Sequence, residues 1–496
     1  MRKGTRIAAC VWTILVAFSG STGELAASVE EYVNVREHRD AVGKSRQRVT
    51  ISSLPDGRGY AAHSIRDGGD GEETRTPLWT FTDTDLGGAH DRVRMALSNA
   101  EDARGDREWA AIFGNGPGIV PGEVRLLVLF IDRGIDGWSN GDFVEIPTGV
   151  RTPVDGTEPP LPNSLGEPAL VDRDLDGSTD LVYAGDMQGN LYRFDISGSD
   201  PPSWRAVRLF KAEYGGPPRT LQPITQRPFV IMHPGDGEFL VVFATGGDLT
   251  GEEHISTGIQ SIYGIWDPGE PDPVTAHPDA RDEHLVRRVL INVVDESAGS
   301  FKTRRILTGD PVHYARSAPG RLGVYGWYID LDMPRASRTL QGNPNPDRCG
   351  GAPPGPQYPG EQVVGRPVPR GKVLFMVTAI PGDTLQCTGA PPGSLLAIDM
   401  VTGNRLEVGV IDLNGDRSIN AEDLVPFAGE TPASGIVMDN GIFPGPPAEP
   451  GLVSSSDGSA ILVFGEETDA PTLAVGGGGE PRTGRLSWRE IPDTAH

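Results

Sequence analysis

Little in this chain speaks for chemistry through cysteine, histidine or positive charge. Three cysteines in 496 residues exclude a disulfide-dense scaffold, and none sits in a C-x-x-C pair suited to zinc. The nine histidines are scattered, with no two at metal-ligand spacing, so they read as surface or satisfied core residues. H-E-x-x-H, G-x-S-x-G and Walker sequences are absent, which removes the commonest hydrolase and nucleotide-binding classes. Basic residues are outnumbered, 44 against 68 acidic ones, for a net charge of −24. That balance would repel a phosphate backbone, so nucleic acid is a poor partner and cations are favoured. Past the N-terminus no segment has the apolar length, about 20 residues, that a membrane helix needs, so the mature chain is expected to carry no membrane span.

Glycine (66) and proline (44), by contrast, make about a fifth of the chain, well above the usual share. Both break helices, which excludes a mostly α fold. Residues 1–27 read as an export signal. Arg2, Lys3 and Arg6 form a positive start, residues 7–18 an apolar stretch, and Leu25-Ala26-Ala27 a cleavage site, with an uncleaved anchor as the alternative. Ile7-Ala8-Ala9-Cys10 precedes most of the apolar run, so it is not read as a lipidation site. Export leaves Cys349 and Cys387 in the mature chain, as one disulfide or as two buried free thiols.

Residues 28–105 are polar and weakly patterned, a segment or linker with one short helix expected around residues 89–97. From Trp109 onward the texture changes, and residues 106–492 read as one large unit. Short apolar runs recur there, such as residues 125–131, 239–244 and 373–377, each closed by Gly, Asp, Asn or Pro. These are strand signals. A weak repeat joins Gly189-Asn190-Leu191-Tyr192-Arg193-Phe194-Asp195 to Gly393-Ser394-Leu395-Leu396-Ala397-Ile398-Asp399, each followed by a turn ending in glycine; a fainter copy lies at residues 129–134. Recurring strand–Asp–turn–Gly units are how propeller blades are written. Two proline-rich insertions, residues 343–370 and 443–451, are expected to lie outside the sheets, because proline has no ladder donor.

The sharpest chemical feature is Asp172-Arg173-Asp174-Leu175-Asp176-Gly177-Ser178-Thr179-Asp180. Carboxylates at positions 1, 3, 5 and 9, with glycine at 6, open an EF-hand-type calcium loop, and Ser178 stands where a backbone carbonyl ligates. Convergent carboxylates repel unless a hard cation lies among them. A second candidate has Asp412, Asn414, Asp416, Ser418, Asn420 and Asp423 at loop spacing, with Arg417 where glycine is expected at position 6. That arginine adds strain, and Ile419 is placed to pin the loop on a core. Catalytic residues are not evident. Gly114-Asn115-Gly116-Pro117-Gly118 lacks the following helix of a phosphate loop, and Arg104-Gly105-Asp106 is a three-residue integrin-type match of low information.

The order of several motifs resembles the C-terminal propeller of PilC/PilY-type pilus proteins. They are Trp109-Ala110-Ala111-Ile112-Phe113-Gly114-Asn115-Gly116, residues 166–195 through the first acidic loop, Gln260-Ser261-Ile262-Tyr263-Gly264-Ile265-Trp266-Asp267, Gly326-Trp327-Tyr328-Ile329-Asp330-Leu331, and the ending Gly484-Arg485-Leu486-Ser487-Trp488-Arg489-Glu490. The resemblance implies an all-β, modified seven-bladed β-propeller that binds calcium and acts without catalysis in type IV pilus biogenesis. It implies pilins or minor pilins as partners and a place in the periplasm, the outer membrane or the pilus surface. Asp172, Asp174, Asp176, Ser178 (carbonyl) and Asp180 would be the calcium ligands. Pro117-Gly118 departs from the family's usual aromatic-Asn, and the large N-terminal region of longer relatives has no counterpart, so adhesion to a host receptor is implied less strongly than the pilus role. A quinoprotein-like dehydrogenase shares the Gly-Leu-Asp-Gly rhythm, but eight tryptophans are too few for its repeats. A stand-alone surface adhesin is the third reading.

Overall fold

The structure is a computed structural model. It describes residues between Val33 and Gly476 apart from internal stretches, the longest being 152–162, 247–257, 270–280, 340–359, 381–392 and 439–449. The expected signal, all three cysteines, Pro117-Gly118 and the 484–490 ending lie outside the described residues.

Three four-stranded antiparallel meanders follow one another along the chain. The first is Val33–Asp40, Gly43–Ser53, Gly59–Asp67 and Glu73–Thr82; the second is Arg94–Glu101, Arg107–Gly114, Glu123–Phe130 and Phe143–Arg151. The third is Ala169–Val171, Leu181–Gly185, Asn190–Asp195 and Arg205–Lys211. An eleven-stranded sheet comes next, opening with Phe229–Met232, Phe239–Ala244 and Ser261–Asp267 and ending at Gln362–Arg370, and Pro450–Ser454, Ala460–Phe464 and Thr472–Val475 form a last three-stranded sheet. Among the described residues the α-helix content is one turn, Arg281–His284. No helix among them is long and apolar enough to cross a membrane.

The strand runs are hydrophobic throughout because both faces are buried, each against a different neighbour. In Glu123–Phe130, Leu126, Val128 and Phe130 join a core shared with Val182, Tyr192 and Phe194 of the third meander. Leu127 and Leu129 turn the other way, to Val49, Tyr60 and Trp79 of the first. The same division recurs in Val373–Ala379, where Leu374 and Met376 enter one core and Val373, Phe375 and Val377 another. Sheets stacked face to face in chain order, each sharing a core with the next, are propeller blades. The all-β propeller read from the sequence is what the chain forms. Because one sheet runs through eleven strands, sheet order does not mark off seven separate blades.

Two local expectations are overturned. Arg94 to Leu97, assigned to a short helix, are extended and pair with Ile112 to Trp109. The polar stretch before residue 105 also holds the first meander, whose Val49, Ile51, Tyr60, Trp79 and Phe81 are buried. The second correction concerns proline. Residues 362–370 of the first insertion do join a sheet, pairing with Val373–Ala379 across an irregularity between Val364 and Val368. They occupy the sheet's edge, where a missing N–H leaves no partner unserved. The repeat finds its reason in aspartate turns. Asp399 Oδ1 accepts the N–H groups of Val401 and Thr402, and Asp195 Oδ1 those of Ser197, so each strand ends on a carboxylate that folds the next residues back.

Candidate metal centre

The loop 172–180 joins Ala169–Val171 to Leu181–Gly185, so its two ends are clamped by strand pairing, Val171 against Leu181. Asp172 is buried; Asp174 and Asp176 are exposed; carboxylate oxygens of the three lie within 4.8 Å of one another. Two oxygens bound to one calcium at about 2.4 Å can be no farther apart than about 4.8 Å. Oxygen donors at that separation fit a hard divalent cation. Among the described residues this is the one convergence of three acidic or metal-ligating side chains.

Backbone amides fix the arrangement. Asp172 accepts from Asp176 N–H at 3.0 Å and Gly177 N–H at 2.8 Å; Asp174 accepts from Asp176 N–H at 3.2 Å; Asp176 accepts from Ser178 N–H at 2.9 Å. An ionised carboxylate has about four lone-pair sites, so Asp172 and Asp174 keep oxygens to offer an ion. Burial pushes the Asp172 carboxyl up, against the pull of the Gly177, Asp176 and Leu175 amides. Asp176 is held down, to about 2, chiefly by the Ser178 hydroxyl and amide and then by Arg107, whose guanidinium lies 2.6 Å from Oδ2.

Asp180 and Ser178 are placed differently from the first three. Asp180 Oδ2 accepts Arg173 N–H at 2.7 Å and Oδ1 accepts Asn99 Nδ2–H at 2.9 Å, so this side chain braces the loop's start. Ser178 Oγ lies 2.7 Å from Asp176 and 2.8 Å from Asn99 Oδ1, tying the loop's middle to its floor. Asn99, buried in the second meander, also donates to Thr179 O at 2.9 Å. Arg173 reaches Glu238, just before the strand Phe239–Ala244 of the next sheet, at 2.8 Å. The loop is therefore fastened to sheets on both sides. Asn99 and Arg107 were not anticipated, and no local signal marks them, since they lie about seventy to eighty residues upstream.

The second loop, 412–423, has the same backbone design. Asp412 accepts from Gly415 and Arg417 N–H, Asn414 from Asp416 N–H, and Asp416 from Ser418 N–H, all at 2.7–2.9 Å. Asp423 takes Leu413 N–H at 2.7 Å and Asn420 N–H at 2.9 Å, the bracing part that Asp180 plays above. Asn420 caps the short turn Ala421–Asp423 by accepting Glu422 N–H. Positions 4 and 6 are left-handed in both loops: Leu175 (φ 65°) and Gly177 (100°), then Gly415 (78°) and Arg417 (68°). Each loop thus has one glycine and one strained residue. Arg417→Gly is expected to raise the urea midpoint by an amount worth up to about 1 kcal/mol, because a left-handed side chain costs about that much.

The Arg104-Gly105-Asp106 match lies exposed at the tip of the hairpin between Arg94–Glu101 and Arg107–Gly114. Asp102 Oδ1 holds that tip by accepting the N–H groups of Arg104 and Asp106.

Stacked meanders carrying an aspartate-rich inter-strand loop define a β-propeller with a candidate cation site. Residues 150–296, which include that loop, match the PilY1 β-propeller domain family. The chain is 28% identical over 345 residues to a type IV pilus biogenesis factor PilY1 homolog of Xylella fastidiosa, covering 66% of this chain and 20% of that protein. It is 27% identical over 347 residues to the type IV pilus biogenesis factor PilY1 of Pseudomonas aeruginosa, covering 64% and 27%. The crystal structure of the P. aeruginosa PilY1 C-terminal domain superposes with a TM-score of 0.62 at 21% identity, over 87% of this chain and 82% of that one. The fold is thus a β-propeller whose residues 150–296 are similar to the PilY1 propeller domain, the resemblance its motifs implied, and the chain spans about a fifth to a quarter of the length of these curated relatives.

Proposed function

We propose that this chain is an exported, calcium-loaded propeller that acts without catalysis in type IV pilus biogenesis, at the periplasm, outer membrane or pilus surface. Calcium at the first loop biases the balance between pilus extension and retraction, and pilins or minor pilins are the partners. The observation that carries the reading is the convergence of Asp172, Asp174 and Asp176 within the segment that matches the PilY1 propeller. Asp172, Asp174 and Asp176 would hold the ion, which would supply the positive charge their mutual repulsion calls for. Asp180, Ser178 and Asn99 keep the loop's shape. The second loop is a weaker site, with amide and hydroxyl oxygens at three of its six positions.

Chelation tests the metal. At free calcium ten times its dissociation constant, linkage stabilises the fold by about 1.4 kcal/mol, so chelator is expected to lower the melting temperature. Asp174→Ala with Asp176→Ala should remove that response while leaving a folded protein. The sign with pH follows from Asp172. Its raised carboxyl contributes stability below the unfolded pKa and loses it as pH rises through the folded value, which is where the ion takes over. The calcium-dependent increment is therefore larger at pH 7 than at pH 4. A melting curve indifferent to chelator at pH 7 would refute the metal. The pilus role has its own test: deletion should reduce surface pili, and the double alanine variant should restore less than the wild type.

A second reading, a surface adhesin, draws on the exposed Arg104-Gly105-Asp106 tip. It requires that deletion leave pilus number unchanged and reduce attachment to host cells.

A further inference from the structure

Two side chains of the second meander touch the loop 172–180, and they hold it with unequal firmness. The hairpin of Arg94–Glu101 and Arg107–Gly114 shifts register between Leu97 and Glu101. There Leu97 O accepts Thr179 N–H at 2.8 Å, and the buried Asn99 donates to Asp180 Oδ1. These contacts form a dry floor. Arg107 stands at the edge of it. Its side chain is 37% exposed, and Nη1 lies 2.6 Å from Oδ2 of Asp176, a side chain 32% exposed.

The two oxygens of Asp176 have different duties. Oδ1 takes the Ser178 amide at 2.9 Å and the Ser178 hydroxyl at 2.7 Å, both from within the loop. Oδ2 is therefore the oxygen that Asp176 has to offer an ion, and it is the one the guanidinium meets. Asp172 and Asp174 accept backbone amides at their oxygens. Among the described residues, Asp176 is the one of these three carboxylates that meets a fixed positive charge. A guanidinium and a divalent cation on one carboxylate oxygen repel each other across a few ångströms. A half-exposed ion pair holds weakly and is screened by salt, so an ion can displace this side chain far more easily than it could displace Asn99.

We infer that Arg107 is a tethered competitor for the metal site: its guanidinium neutralises Asp176 until a divalent cation takes Oδ2 and turns the arginine out to solvent, so residue 107 sets how tightly the loop binds calcium. The inference rests on the calcium reading of this loop and adds the residue that tunes it.

Calorimetric titration of the full chain with calcium chloride at pH 7, after stripping with chelator and its removal, compares wild type with Arg107→Gln and Arg107→Lys. Arg107→Gln is expected to tighten calcium about three- to tenfold, and Arg107→Lys, which keeps a charge near Asp176, to stay closer to wild type. Raising the ionic strength from about 0.05 to 0.5 M should close most of the gap between wild type and Arg107→Gln, because the competition is between charges at a wet surface. Melting curves read the same effect with opposite signs. In chelator Arg107→Gln should melt below wild type, having lost the charge that relieves the aspartates, and its calcium-induced rise should be the larger. Arg107→Ala serves the same comparison where the glutamine variant does not fold. A merely structural arginine would lower the melting temperature with and without calcium and leave the calcium-induced rise unchanged; that result overturns the inference. Equal or weaker calcium binding by a folded Arg107→Gln also overturns it, and leaves the metal reading intact. Wild type that binds no calcium removes the metal reading itself, and this inference with it.

Discussion

Arg305→Met is expected to cost about 3–5 kcal/mol in urea unfolding, because it strands a buried carboxylate. Arg305, in Thr303–Thr308, grips Glu361 through two parallel bonds of 2.6 and 2.9 Å, and neither side chain has any solvent exposure. Thr378 Oγ–H also donates to Glu361, so the carboxylate is held from two strands. Removing the arginine leaves these oxygens charged, dehydrated and short of their main partner. Arg305→Lys should fall between, since a point charge cannot reproduce the fork. The informative comparison is Arg305→Met with Glu361→Leu. The double variant should regain most of the loss, because an apolar pair of similar volume need not be solvated. A single variant that loses no more than the double would show that shape, and not charge, is what Arg305 contributes.

Trp327→Ala should be comparably damaging, about 3–5 kcal/mol, for a reason that lies in two glycines. Trp327 is fully buried and donates Nε1–H to Val401 O at 2.9 Å. A Cβ on Gly264 would come within 2.3 Å of its ring, and a Cβ on Gly403 within 2.2 Å. The indole therefore lies between two positions without side chains, and little nearby can collapse into the space it leaves. The converse substitution, Gly264→Ala, overpacks the same spot and is expected to cost about 1–3 kcal/mol or more. Denaturant midpoints of both variants, with unchanged slope, check the pair; a loss below about 1 kcal/mol for Trp327→Ala would mean that the core rearranges freely.

Those residues also explain why the motifs were readable. Gln260-to-Asp267 and Gly326-to-Leu331 were separate matches in the sequence, and they are adjacent antiparallel strands, Gly264 opposite Trp327. Their small and large residues are complementary halves of one packing contact. Long apolar runs such as residues 125–131 were legible as strands because both faces are buried, which removes polar positions from the pattern. Arg94-Met95-Ala96-Leu97 was misread because its pattern suits either a helix or a strand, and pairing with Trp109 to Ile112 decides between them. Residues 362–370 were misread because proline's missing donor excludes only interior positions, and nothing local announces an edge.

The same division runs through the metal centre and the Glu167 ion-pair cluster. Composition and strand patterning determined the β class, and loop spacing the placing of Asp172, Asp174 and Asp176 around one point, since a nine-residue turn closes at small entropic cost and its amides select the carboxylates; the likeness to the PilY1 propeller was carried by the order of several longer motifs. Tertiary structure alone decided that Asp180 braces the loop, that Asn99 and Arg107 anchor it, and that Arg94, Arg227 and Arg366 meet on Glu167. Those contacts join residues as many as 199 positions apart. They exist only once stacked sheets have set the distances, and no short-range pattern in the chain encodes that stacking.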